Sequence, residues 1–329
     1  IAVQYALRRR QFGPKAAGSE TLLLDYPSHQ RRLMPLLAKT YALHFSLRQL
    51  TRRFLESQEE EAREVESLAA GLKAYATWFV TDCLQECREA CGGKGYLSEN
   101  RFDALMADTD IFTTFEGDNT VLMQLVAKSL LTKFKNEFSE EGVLGILRFI
   151  GSNISTSITE RNPIIIRNTD RDHLLDPDFH LKAFEYRERS LLVSVSQRMR
   201  NMIKNGTSAY AAYLQCQTHL LALAEAYIEK MVLQHFQTVV EEGSDHLKPA
   251  LTKLYRLFAL HTMERHKGWY LEKGYMEGRK TKAIRRLVDE FCTELREEAL
   301  ALVKAFDIPD ELLGAPIARV HDTGKVKVD

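Results

Sequence analysis

No proline occurs between Pro35 and Pro163. An interior proline removes a helical hydrogen bond and clashes with the preceding turn, at about 3 kcal/mol, so this stretch is open to long, uninterrupted helices. Its composition agrees, being rich in Leu, Ala, Glu, Lys and Arg. The apolar residues Leu33, Leu36, Leu37, Tyr41, Phe45, Leu47 and Leu50 recur at i, i+3/i+4 spacing. That spacing puts one apolar stripe on a helix of about eight turns. Residues 62–90 repeat the pattern through Val65, Leu68, Leu72, Tyr75, Phe79 and Val80. A third helix follows Asp118 or Asn119, both suited to an N-cap, and runs through Leu122, Leu125, Val126 and Leu130.

The second half continues in the same style. Residues 139–151 predict a short amphipathic helix, and 152–177 form a Ser/Thr/Asn/Pro-bearing connector. Asp176-Pro177 opens a helix that runs to Gly206, with proline at an early position where its missing N–H costs nothing. Further helices are expected over about 208–242, 245–274 and 280–306, separated by glycines. The one β-branched run, Ile164–Ile166, is too short to build a sheet. The fold class is therefore all-α. Three parts are expected: a helical bundle over 1–137, a linker helix and connector over 138–175, and a second helical domain over 176–329.

Composition narrows the function classes. With 45 Lys+Arg against 45 Asp+Glu in 329 residues, the formal net charge is zero. A nucleic-acid-binding domain would normally show a basic excess. No apolar run reaches the roughly 18–20 residues needed to span a bilayer. Five cysteines in a long chain do not form a disulfide-scaffold pattern and favour a reducing compartment. The chain opens mid-pattern at Ile1 with no signal segment, which is expected of a fragment. Asn153-Ile154-Ser155 and Asn205-Gly206-Thr207 fit the glycosylation pattern, and without a secretory signal both are taken as coincidental.

Four segments interrupt the helical monotony. Arg8–Gly13 (RRRQFG) has a plain reading as helix C-terminal chemistry, with cations at the negative helix end and a glycine stop. Its functional reading is a phosphate clamp, because guanidinium forks bind phosphate oxygens bidentately. Cys91–Tyr96 (CGGKGY) reads either as a glycine cap or as exposed backbone N–H groups that a phosphate can approach. Cys83, Cys87 and Cys91 share a helical face without a fourth ligand at metal spacing, so they are read as small buried residues and no metal site is expected. In Thr113–Thr120 (TTFEGDNT), Glu116 sits among Phe112 and Phe115. Aromatic neighbours would desolvate a carboxylate and make it a usable general base; the plain reading is a first-turn acid favoured by the helix dipole. His261 and His266 are spaced i, i+5, which puts them on different helical faces, unlike a metal-binding HExxH pair.

Taken in order, RRRQFG, DYPSHQRRLMPLLA (Asp25–Ala38), CREACGGKGY (Cys87–Tyr96), TTFEGDNTVLMQ (Thr113–Gln124) and AFDIPDELLGAPI (Ala305–Ile317) resemble the C-terminal half of an acyl-CoA oxidase. The related acyl-CoA dehydrogenases share the RxxFG, GGxG and EG signatures but lack a second helical domain. The resemblance implies FAD as cofactor, fatty acyl-CoA and O2 as reactants, and trans-2-enoyl-CoA and hydrogen peroxide as products. It implies Glu116 as the base that takes the α-proton. It implies that Arg9, Gln11 and Phe12 contact the FAD of a neighbouring subunit in a homodimer, and that Gly92 and Gly93 approach the pyrophosphate. Asp118 stands where dehydrogenases carry a small hydroxyl residue beside the flavin, and Glu89 replaces a glutamine of the related pattern.

The family's N-terminal helical and β-barrel domains have no counterpart in these residues. The chain is therefore expected to be inactive, and to bind FAD weakly, on its own. The competing functions are a dehydrogenase that passes electrons to a carrier protein and a non-catalytic helical dimerisation module. Lys325–Asp329 is not a peroxisomal SKL-type ending. A bacterial-type cytoplasmic setting is expected from that, or a peroxisomal one if the chain is eukaryotic and its C-terminus truncated.

Overall fold

The computed structural model describes residues 1–13, 20–58, 61–134 and 166–319. The expected helix at 139–151, most of the 152–177 connector with Asn153, and Lys325–Asp329 lie outside the described residues. Among the described residues there is no strand, only an isolated antiparallel bridge between Arg10 and Leu22. The all-α expectation holds. The first helices are α1 (Ala2–Ala6), α2 (Pro27–Glu56), α3 (Ala62–Ala90), α4 (Phe102–Asp110) and α5 (119–134). Pro35 lies inside α2 and supplies no N–H to the helix there. Then follow α6 (Arg171–Leu175), α7 (Pro177–Lys204), α8 (Ala209–Gln215), α9 (Gln217–Glu242), α10 (Lys248–Arg265), α11 (Lys267–Glu272), α12 (Gly278–Arg296) and α13 (Ala299–Lys304).

Three helices expected as continuous are each broken once. The break within 208–242 falls at Cys216 and that within 245–274 at His266, with ψ near zero at both residues. The break within 280–306 falls between Arg296 and Ala299. Neither Cys216 nor His266 is a sequence-level breaker. At His266 the imidazole lies 3.0 Å from a Glu229 carboxylate oxygen, so a tertiary contact accompanies that break.

The described chain forms two compact units. Unit 1 gathers residues 1–37, 79–112 and those after 288; unit 2 gathers 38–78 and 113–288. In unit 1, the Arg8 guanidinium donates to the carbonyls of Ile317 and Arg319. Fully buried Asn100 donates to the Lys94 carbonyl at 2.9 Å and accepts from the Ile317 N–H at 3.2 Å. Arg296 forks onto Asp25 at 2.6 and 2.8 Å. The Asn100 bonds satisfy a buried amide that would otherwise carry a desolvation cost of about 1–3 kcal/mol.

Unit 2 packs α3, α5, α7 and α9 around Ala74, Met123, Val126, Leu191, Val195, Leu220 and Leu223. Gly71 sets how closely they meet: a Cβ there would lie 2.4 Å from Ile228 Cδ1 and 3.0 Å from Val126 Cγ2. Asp176 caps α7 by accepting from the Asp178 N–H at 3.0 Å. A charged network runs through the same unit. Arg187 donates to Glu229 at 2.5 Å and to Glu225 at 3.1 Å, and Tyr75 donates to Glu229 at 3.1 Å. Burial alone would raise the Glu229 carboxyl, yet His266, Arg187 and Arg265 hold it well below the usual carboxylate range.

Candidate active site

The candidate residues fall into both units, and each locus is built separately. In unit 1, helix α1 ends at Ala6 and closes in a turn in which the Arg8 and Arg9 N–H groups donate to the Tyr5 carbonyl at 3.0 and 2.8 Å, after which the segment leaves the helix. It is pinned by the Leu23 N–H to the Arg9 carbonyl at 2.8 Å, the Gln11 N–H to the Thr21 carbonyl at 2.9 Å, and the Thr21 N–H to the Phe12 carbonyl at 2.6 Å. The Tyr26 hydroxyl donates to the Gln11 carbonyl at 2.8 Å. The three arginines have separate tasks. Arg8 is committed to the 317–319 carbonyls and Arg10 to the Glu20 carbonyl at 2.9 Å. Arg9 instead lines a cavity of about 590 Å³.

Gln11, His29, Arg32, Gly92 and Gly93 line the same cavity. The CGGKGY segment reaches it as a 3-10 turn over Gly92–Tyr96. Its glycines do different jobs. A Cβ on Gly95 would lie 1.9 Å from the Arg88 carbonyl oxygen, so that position is glycine for packing. Gly92 has φ +55° with nothing near a would-be Cβ, and Gly93 meets only Tyr96, at 3.7 Å. Their backbone is therefore open to close approach. The His29 Nε2 atom is buried without a hydrogen-bond partner. Burial and the neighbouring Arg32 push the His29 imidazole below its ordinary pKa, so it sits neutral at pH 7. Arg32 is held by Glu86 and lies 3.7 Å from Glu89. Glu89 thus has a structural partner. Burial pushes the Cys91 thiol on this wall up to about 12. Phe12, at φ +57° and 72% exposed, is adjacent in the chain and outside the lining.

In unit 2, Glu116 stands at φ +56° and Gly117 at φ +112°, two successive left-handed residues before α5. A non-glycine residue there is strained by roughly 1–3 kcal/mol and persists only where its surroundings hold it. Asp118 caps α5, accepting from the Thr120 N–H at 2.9 Å and the Val121 N–H at 3.3 Å, so its carboxylate serves the helix. Asn119, 1% exposed, is bonded on both ends of its amide. Glu116 itself is exposed, and Phe112 and Phe115 are 40% and 42% exposed. The described residues leave Glu116 open to solvent rather than enclosed by those rings.

A third group of titratable residues, Glu225, Glu229 and His266, has ligand atoms within 4.8 Å of one another. Arg187 and Arg265 already occupy those carboxylates. That group is a closed ion-pair network.

Comparison with known proteins bears on what these two loci belong to. The acyl-CoA oxidase C-alpha1 domain family matches residues 1–131, and the acyl-CoA oxidase family matches residues 176–322. The chain belongs to the acyl-CoA oxidase family. This acyl-CoA oxidase chain is 40% identical over 327 residues to acyl-coenzyme A oxidase 2, peroxisomal, of Arabidopsis thaliana, covering 98% of this chain and 47% of that protein. It is 33% identical to peroxisomal acyl-coenzyme A oxidase 3 of Homo sapiens, covering 97% and 48%. Among solved structures, acyl-CoA oxidase 3 of Yarrowia lipolytica superposes with a TM-score of 0.83 at 27% identity, covering 96% of this chain and 48% of that one. Acyl-CoA oxidase-1 of Caenorhabditis elegans, solved as a complex with FAD and ATP, shares the fold at a TM-score of 0.80 and 19% identity, covering 97% and 48%. The chain spans about half the length of the curated relatives it matches. These relatives are eukaryotic, and two carry "peroxisomal" in their names; the bacterial-type cytoplasmic expectation finds no support.

The structure brings Arg9, Gln11, Gly92 and Gly93 to the lining of one cavity. It adds His29 and Arg32, which sequence reasoning did not single out although both sit in the DYPSHQRRLM segment. It also adds Lys73 and Thr77 beneath the Glu116 turn, whose only sequence signal was their place on α3.

Proposed function

We propose that this chain is the C-terminal half of an FAD-dependent acyl-CoA oxidase that converts fatty acyl-CoA to trans-2-enoyl-CoA in β-oxidation. The observation that supports it most is Glu116, an exposed carboxylate held on a strained left-handed turn in a chain of this family. In that role the Glu116 carboxylate accepts the α-proton of the acyl thioester, the α-carbon electron pair forms the new C=C bond, and the β-hydrogen departs with its two electrons. When bound, FAD supplies the acceptor for that hydride, and the electrons go on to O2 as hydrogen peroxide. General base catalysis of this kind contributes about 10²–10⁴-fold, provided the carboxylate is aimed at the carbon. Closing the site over substrate would supply the desolvation that the exposed carboxylate lacks here.

The unit 1 cavity fits a dinucleotide diphosphate. It offers the Arg9 guanidinium, the open backbone at Gly92 and Gly93, and an unpaired imidazole nitrogen on His29. Charge-assisted bonds of this type are about twice as strong as neutral ones. Arg9, Gln11 and Phe12 are assigned to the FAD of a partner subunit, which makes the active protein a homodimer. Asp118 is assigned primarily to the α5 cap. The sequence-order parts 1–137, 138–175 and 176–329 are kept as its domain organisation, with the two matched family ranges in support. The peroxisome is its proposed setting. Among the described residues no helix is long and apolar enough to cross a membrane.

The test is aerobic turnover of the full-length flavoprotein with a fatty acyl-CoA. Stoichiometric enoyl-CoA and hydrogen peroxide support the proposal. Electron delivery to a carrier protein without peroxide would make it a dehydrogenase, and a colourless preparation would leave the helical scaffold.

A further inference from the structure

We propose that Lys73 is a positioning residue that locks the Glu116 turn from the neighbouring helix; the inference rests on Glu116 being the base. Lys73 lies on α3, 44 and 46 residues before its partners, yet its Nζ donates to the Gly117 carbonyl at 2.8 Å and to Asn119 Oδ1 at 2.9 Å. One ammonium therefore ties down the residue just after Glu116 and the first residue of α5. The other end of the Asn119 amide returns to the same helix, donating to Thr77 Oγ1 at 2.9 Å and to the Ala74 carbonyl at 3.3 Å. Thr77 is itself fixed by donating to the Lys73 carbonyl at 2.9 Å. Asp118, between the two tied residues, is committed to the helix cap.

Gly117 to Asn119 are thus immobilised by side chains on one helical face, spaced i and i+4. Glu116 is the residue immediately outside that clamp, and its own φ of +56° is one that a relaxed glutamate avoids. A free turn would relax toward ordinary dihedrals and swing the carboxylate off its aim. The bond that opposes this is made to the carbonyl of the very next residue, so it fixes the Gly117–Asp118 peptide, one peptide beyond the one on which the Glu116 conformation ends. A cation is better suited than a neutral donor, because it can bond two oxygens together and its charge-assisted bonds are shorter and stronger. The ammonium is also half-buried, which weakens screening by solvent. None of this requires Lys73 to touch substrate or cofactor.

The prediction is a split between chemistry and binding. In full-length Lys73→Met, flavin reduction by acyl-CoA in a single turnover should slow by about 10–10²-fold, the scale expected when a reacting group is misplaced by about an ångström. The acyl-CoA dissociation constant should change less than about threefold, and the primary deuterium isotope effect at the α-carbon should rise as proton abstraction becomes the slow step. Lys73→Arg, which keeps a charged donor, should recover part of the rate. If Lys73→Met loses its flavin or melts below the assay temperature, Lys73→Gln is measured instead; it keeps one donor and should show a smaller loss of the same kind. A folded, flavin-loaded variant that reduces within about twofold of the parent overturns the positioning role. So does a loss confined to substrate affinity. Glu116→Gln, run beside it, separates the two claims: rapid reduction in that variant refutes the base and the positioning role together. A dead Glu116→Gln with a normal Lys73→Met refutes the positioning role alone.

Discussion

The two loci satisfy their polar groups in opposite ways. In the unit 1 cavity, donors are left open: Arg9 faces the cavity while Arg8 and Arg10 are spent on carbonyls, and the His29 Nε2 atom has no partner. At the unit 2 turn, Lys73, Asp118, Asn119 and Thr77 are all committed, and the exposed Glu116 stands beside them. Open donors cost stability, so they are kept where a ligand completes them. Saturated donors hold a strained backbone still, so that one side chain can be presented. The cavity is built to be filled and the turn is built to point.

The sharpest way to break this contrast is Glu116→Gln in the full-length protein. Dehydrogenation should drop by about 10²–10⁴-fold. The melting temperature should barely move, because an exposed side chain contributes little packing; a dipole partner is worth roughly 0.3–1 kcal/mol. Rapid single-turnover bleaching in this variant would mean that the turn presents the wrong group.

A pair of alanines tests the cavity wall. Gly95→Ala forces a methyl into the Arg88 carbonyl and should cost about 3 kcal/mol or more, read as a lower urea midpoint. Gly93→Ala makes only ordinary van der Waals contact with Tyr96 and should leave the midpoint nearly unchanged while weakening flavin retention. Equal effects at the two positions would erase the distinction between a packing glycine and an approach glycine.

Acid should act on unit 2 through His180. It is fully buried, its Nε2 lies 2.8 Å from the Leu174 carbonyl, and burial lowers its pKa to about 4. The folded state holds it neutral while the unfolded chain protonates near 6.5. Stability is therefore fully present above pH 6.5 and is lost as pH falls toward 4, by about 3 kcal/mol in all. His219 and His235 are also lowered by burial and add the same sign. Urea midpoints at pH 7 and pH 4.5 measure the loss, and a parent and a His180→Gln variant with identical pH slopes would refute the assignment. The smallest effect is expected for Arg9→Met, about a tenfold loss of FAD affinity by titration, with turnover near normal at saturating cofactor. An unchanged affinity would remove Arg9 from the cavity's function.

Much of this was legible beforehand. The α3 boundaries follow directly from the 62–90 stripe, and Asp118 and Asp176 cap the helices that their residue type and position announce. Family likeness marked Arg9, Gln11, Gly92 and Gly93 one by one, but their grouping at one cavity follows from no spacing rule, since about eighty residues separate them. What stayed hidden was tertiary. Cys216 and His266 interrupt helices without any breaker residue. Lys73 looks like any exposed lysine on an amphipathic helix until its two oxygen partners, more than forty residues away, are in place. The aromatic neighbours of Glu116 show a related limit: nearness in sequence does not by itself enclose a side chain, and Glu116, Phe112 and Phe115 are all exposed.

Arg8 reaches carbonyls 309 and 311 residues further along the chain, and Asn100 is completed by the N–H of Ile317. On the ribosome, unit 2 can therefore settle while unit 1 still waits, its early residues held open until the last of their partners emerges. At roughly 5–20 residues per second that delay runs to tens of seconds. During it the cavity lining, all of it between Tyr5 and Leu97, is already made, while the Arg8 and Asn100 braces beside it still lack their partners.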